Sequence, residues 1–233
     1  MTSFSYAALL ALAGAAVLLD KWAVAEFGVS QPIVSCPLLG LLFGDPLTGL
    51  FLGTALQLVW VDALPLGGDR PPDYQAAGVT GITCYLFARH AWLLRDAAGW
   101  PDVRNRVLFA CLILAGLATI VGQVADDRVK QFNGILYRKG MAARTPAGVV
   151  TMHLLGLVTS YVRGVLVTFL FLLAVFGIGP LLGRLPPFTT GELLFLPLGI
   201  GIAGLLKLFY RRERIPLMLA GALASGVLWI FLK

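Results

Sequence analysis

The chain has 233 residues, of which 58% are hydrophobic and only 13% charged, and its mean hydropathy is +0.86. Ordinary soluble domains carry roughly 25% charge, so a soluble fold is excluded. The net charge of +6 conceals a division: residues 1–80 hold six acids against two bases, and the basic excess falls entirely in the remainder.

Several uncharged stretches reach the roughly 17–25 residues that a helix needs to cross about 30 Å of hydrocarbon. Unbroken apolar runs, rather than alternating segments of about 10 residues, exclude an outer-membrane barrel. The predicted class is all-α, a polytopic helical membrane protein of one domain, 1–233.

The first predicted span is 4–19. Met1 to Tyr6 carries no basic residue and the run ends in Asp20-Lys21 rather than at a small-residue cleavage site, so a retained helix is expected instead of a signal peptide. Later spans are predicted at 74–94, 107–124, 164–183, 191–210 and 215–232. Residues 148–162 are too short or too polar to assign as a crossing segment. If they crossed independently, the basic clusters at 128–144 and 211–214 would fall on opposite sides; as a half-span they leave both in the cytoplasm, the arrangement favoured by the positive-inside tendency. Anionic membrane lipid accounts for such clusters beside spans better than nucleic acid does. Val129, Phe132 and Leu136, flanked by bases, make 125–147 a polar segment suited to an interfacial helix or to a plain connecting one.

Residues 32–66 carry the most information. Pro32 to Gly44 and Leu50 to Val61 are each too short to span easily, and Gly44-Asp45-Pro46 is a turn signal between them. The expectation is a re-entrant hairpin, giving broken helices in the N-terminal third. Broken backbone survives at membrane depth only where protein or water satisfies it, a common way of building a carrier site. Gly40 with Gly44, and Gly49 with Gly53, are spaced for close helix approach.

On the second half-helix Gly53, Thr54, Gln57 and Trp60 share one face at 100° per residue. Amide and hydroxyl groups can exchange hydrogen bonds with a sugar, and an indole can cover its apolar face. Acids at bilayer depth cost about 2.5–3.5 kcal/mol each and persist by pairing or by lining a polar cavity. No catalytic constellation, P-loop, metal cluster or cofactor motif is present in the sequence. Cys36, Cys84 and Cys111 have no metal or redox spacing, and His90 and His153 are isolated.

Leu19-Asp20, Gln31-Pro-Ile-Val-Ser-Cys-Pro-Leu-Leu-Gly-Leu-Leu-Phe-Gly-Asp45, Thr48-Gly49, Gly53-Thr54-Ala-Leu-Gln57-Leu and Pro72-Asp73 together resemble the enzyme IIC subunit of the mannose/fructose/sorbose family of phosphotransferase-system (PTS) sugar permeases. Residues 19–80 look like that family's most characteristic region, and the later part, with Gly122-Gln123, is similar more diffusely. Gln31 stands where members usually show Arg, and Asp62 with Pro65 also departs from the family pattern.

The resemblance implies a sugar-translocating subunit that is not itself an enzyme and works with a membrane partner, enzyme IID, and with the phosphocarriers IIB and IIA, in oligomers of IIC–IID units. It transfers substrate-binding roles to Asp45, Thr54, Gln57, Asp62 and Asp73, with Glu26 as a further candidate. A non-transporting PTS membrane scaffold with a regulatory role, and a proton-coupled carrier that uses the acids as a relay, are the alternatives.

Overall fold

A computed structural model describes residues 2–21, 23–24, 26–63, 72–142 and 144–209. Its described residues form seven α-helices: α1 (Ser3–Leu18), α2 (Pro32–Leu42), α3 (Pro46–Val59), α4 (Tyr74–Leu93), α5 (Trp100–Ala142), α6 (Pro146–Leu182) and α7 (Glu192–Phe209). The span expected at 215–232 lies outside the described residues.

Local chemistry sets the starts of these helices. Proline occupies the first turn of α2, α3 and α6, where its missing N–H costs nothing. Asp45, Asp73 and Thr145 cap α3, α4 and α6, accepting from the backbone N–H groups of Thr48, Ala76 and Gly148 at 3.2, 3.1 and 3.2 Å.

The expected re-entrant hairpin forms. α2 has 11 residues and α3 has 14, about 16 and 21 Å at 1.5 Å per residue, short of the hydrocarbon thickness. They turn at Gly44, whose φ of +83° is left-handed. The two half-helices then pack backbone to backbone: a Cβ on Gly40 would meet the Asp45 carbonyl at 2.5 Å, one on Gly53 the Pro32 carbonyl at 2.5 Å, and one on Gly49 would strike the Cys36 carbonyl. The hairpin thus has a closed tip at 43–46 and an open mouth where Gln31 and Trp60 lie.

α4 is the hub. It packs on α1, α2, α3, α5 and α6, and every residue from Tyr74 to Phe87 is buried. That position admits Gln75, Thr80 and Thr83 to a 20-residue helix, because protein rather than lipid surrounds them. Its Tyr74 end is at the hairpin mouth, and its Tyr85–Arg89 turn reaches the tip. α7 runs beside α3 towards the mouth, with Gly201 against Leu58 and Gly204 against Asp62.

Ser3–Lys21, Trp100–Ala142 and Pro146–Gly179 are long and apolar enough to cross a membrane, and the chain is an integral membrane protein. The region 148–162 is neither a separate span nor a half-span: it is the first part of α6, a single helix of 37 residues. Likewise the polar segment 125–147 continues α5 to Ala142 and turns into α6, with no separate helix for it. α5 and α6 pair as an antiparallel arm past the mouth, with Asn133 Oδ1 accepting from the Thr159 hydroxyl at 2.7 Å and Gly140 packed against Met152.

Candidate functional site

The mouth of the hairpin encloses a cavity of about 270 Å³, near the lower end of the roughly 300–1,000 Å³ of small-molecule sites. Among the described residues its wall comes from the stretch after α1, the start of α2 with the end of α3, and the start of α4.

The α3 end contributes Gln57 and Trp60, one turn apart. Gln57 Oε1 accepts from the backbone N–H of Ile33 at 3.4 Å, satisfying one of the orphan donors in the first turn of α2. Its Nε2 donates to Gln31 Oε1 at 3.4 Å, and Gln31 Nε2 donates to the Tyr74 hydroxyl at 3.1 Å. This chain of amides and a phenol ties α2, α3 and α4 together along the wall. Beside it stands Gln75, only 9% exposed, whose Oε1 is buried and has no hydrogen-bond partner. A buried acceptor left unpaired costs about 1–3 kcal/mol.

Asp20, Lys21, Glu26, Gly28 and Ser30 line a further side. Asp20 organises it by accepting from the N–H of Phe27 at 2.7 Å, the N–H of Ser30 at 3.0 Å and the hydroxyl of Ser30 at 3.2 Å. Glu26, at φ +54°, sits exposed on the rim.

Of the six residues expected to bind substrate, Gln57 and Glu26 meet at this cavity. The other four are placed elsewhere. Asp45 lies at the tip, about 18 Å from Gln57 along α3. There its Oδ2 accepts from the Tyr85 hydroxyl at 3.0 Å and stands 3.8 Å from Arg89 Nε. Arg104 Nη2 donates to the neighbouring Thr48 hydroxyl at 3.1 Å. Thr54 is half-buried one turn deeper on α3 than Gln57, off the cavity wall. Asp62 rests against Gly204 of α7.

Asp73 is buried in an ion network beside the cavity. Its Oδ1 is 2.9 Å from Lys21 Nζ, and its Oδ2 is 2.9 Å from Arg163 Nη1. Arg163 Nη1 also reaches Asp126 Oδ1 at 3.0 Å, and Lys21 lies 3.7 Å from Asp126 Oδ2. Lys130 joins Asp126 from the surface at 2.9 Å. Gly122 is required here, since a Cβ would come within 2.9 Å of Asp73 Oδ2. Four segments are thereby pinned by charges that compensate one another, the condition for burying them at all.

Sequence reasoning missed Gln31, Tyr74 and Gln75 as cavity residues and Arg163 as the counter-ion of Asp73. Gln31 and Tyr74-Gln75 stand directly beside the helix-starting Pro32 and Asp73, and a lone arginine inside the apolar stretch 146–182 is itself a signal of pairing.

The chain is thus a helical membrane protein with a hairpin of two short helices and a polar cavity at its open end. Residues 4–230 match the family model of the PTS system sorbose-specific IIC component, and the chain belongs to that family. It is 29% identical over 104 residues to the PTS system sorbose-specific EIIC component of Lacticaseibacillus casei, covering 44% of this chain and 36% of that one. It is 35% identical over 79 residues to N-acetylgalactosamine permease IIC component 1 of Escherichia coli (strain K12), covering 34% and 28%. The matched segments thus span well under half of those relatives' own length. Among solved structures, one described as "Structure of membrane protein" superposes with a TM-score of 0.66 at 18% identity, covering 97% of this chain and 87% of that one, and so shares the fold.

Proposed function

We propose that the chain is the sugar-binding, membrane-spanning IIC subunit of a phosphoenolpyruvate-dependent PTS, and that the cavity at the hairpin mouth is where the sugar sits. The observation that carries this is a cavity whose wall brings Gln31, Gln57, Trp60, Tyr74 and Gln75 together. The amides and phenol can serve sugar hydroxyls, and the indole can cover the apolar face of the ring. A non-transporting scaffold has no need of such a cavity.

Family membership supports a IID membrane partner, with IIB and IIA as phosphocarriers and IIC–IID units as the repeating assembly. Phosphoryl transfer is assigned to those partners on the same ground of family membership. The basic residues of the α5–α6 arm, Arg128, Lys130, Arg138, Lys139 and Arg144, lie on the mouth side, so the positive-inside tendency orients the mouth to the cytoplasm, where sugar phosphate must leave. Transport proceeds by movement of the hairpin-bearing part against the long α5–α6 pair.

The test is sugar binding and sugar-phosphate formation in vesicles holding the chain with all its partners. Gln57→Ala together with Gln75→Ala should abolish both while leaving assembly intact. Uptake unchanged by that pair would place the site elsewhere, and absence of any sugar binding by the parent complex would return the scaffold reading.

A further inference from the structure

The α5–α6 arm carries a cavity of its own. Val107 to Ala125 of α5 is uncharged and about 28 Å long, close to the thickness of the hydrocarbon. The rest of α5, Asp126 to Ala142, runs about 24 Å further and holds six charged residues, so it stands in water or among headgroups. The first part of α6 returns beside it, and between the two lies a trough of about 380 Å³. At the near end of the trough are Ala23, from the stretch that lines the mouth, and Asp126, 3.7 Å from Lys21 of the mouth wall. The trough is therefore on the flank of the arm beside the mouth. At its far end Tyr137 and Val149 are 63% and 41% exposed. Exposed aromatic and apolar side chains beyond the hydrocarbon mark a protein-binding surface. Arg128 and Lys139 fall opposite Tyr137 on α5 at 100° per residue, off the trough wall, where they face headgroups or solvent.

We propose that this trough is the docking site of the soluble phosphocarrier IIB, which seats on the arm and so brings its phosphorylated side chain to the mouth. The inference rests on the sugar-binding reading above and adds to it the surface that receives the donor. A donor to a sugar in the mouth approaches from the water on that side, and the arm projects along that approach. Lipid suits the trough poorly, because it lies past the uncharged span and sets Asn133, His153 and Ser160 among its apolar residues. The flank is about 24 Å long and, as two packed helices, about 20 Å wide, which gives roughly 500 Å². That is the scale of a transient contact, as a carrier that leaves after each transfer requires.

The experiment uses the complete membrane complex in nanodiscs and purified IIB of the same system. Tyr137→Ala should raise the Kd for IIB about tenfold or more. The KM for IIB in sugar-phosphate formation should rise with it, while kcat and the Kd for sugar stay within about twofold. Lys139→Gln, on the opposite face, should leave the Kd for IIB within about twofold. A photo-crosslinker attached to Tyr137→Cys should join IIB, and one attached to Lys139→Cys should not. If Tyr137→Ala weakens sugar binding as well, the crosslink decides. IIB binding indifferent to Tyr137→Ala, or a crosslink from the trough to the membrane partner or to lipid in place of IIB, overturns the docking site and leaves the sugar site standing. If the parent complex binds no sugar and forms no sugar phosphate, the sugar-binding reading falls and takes the docking site with it.

Discussion

Gln75 and Arg163 illustrate opposite uses of a buried polar group. Gln75 lines the cavity and buries an unpaired Oε1, so replacing it with an apolar isostere removes a cost from the empty protein and, in the proposed complex, an amide from beside the sugar. Gln75→Leu should leave the melting temperature of the sugar-free complex unchanged or raised, while a binding isotherm shows affinity lowered about tenfold or more. Arg163 is the reverse case. It is 7% exposed and shared by two buried carboxylates. Arg163→Met should destabilise the fold by about 3–5 kcal/mol, read as loss of folded complex in thermal or denaturant titration. The double variant Arg163→Met with Asp126→Asn should recover part of that loss, because the orphaned charge goes with its partner. A loss that is simply additive would mean that the two side chains act separately.

The hairpin was legible because its determinants are local. Pro32, Pro46 and the Gly44-Asp45 turn set the lengths of α2 and α3, and the 100° spacing of Gln57 and Trp60 put both on the cavity side. The fates of Asp45 and Asp73 were not legible, since their partners Tyr85 and Arg163 come from 40 and 90 residues further along the chain. Likewise the polar side chains at 151–160 lowered the hydropathy of what is one unbroken helix, α6; Thr159 is bonded to Asn133 of α5 in the arm, and Gly156 packs on it. The close packing of the hairpin makes its own prediction. Gly49→Ala drives a methyl into the Cys36 carbonyl, a backbone atom that cannot step aside, and should cost about 1–3 kcal/mol of stability. Gly116→Ala on α5, where nothing lies within 4 Å, should be neutral or slightly stabilising in the same thermal assay.

At the scale of the whole molecule, the fold separates two faces. The tip face holds the Asp45–Tyr85–Arg89 clamp and the turn between α4 and α5, and the mouth face holds the cavity and the base-rich arm. Orientation is testable without background, because Cys36, Cys84 and Cys111 are all buried. A cysteine placed at exposed Arg144 in the arm should react with an impermeant maleimide in inverted vesicles and not in intact spheroplasts, and one at exposed Asp96 on the tip face should show the reverse.

The central claim is that a sugar lies in the mouth of a hairpin broken within the membrane. Its most direct test is a density map of the complex with its membrane partner, prepared with saturating sugar and no phosphocarrier. The ring should lie against Trp60 with its hydroxyls on the side-chain amides of Gln31, Gln57 and Gln75. Sugar density at the tip beside Asp45, or between α5 and α6, with the mouth filled by water alone, would contradict the account.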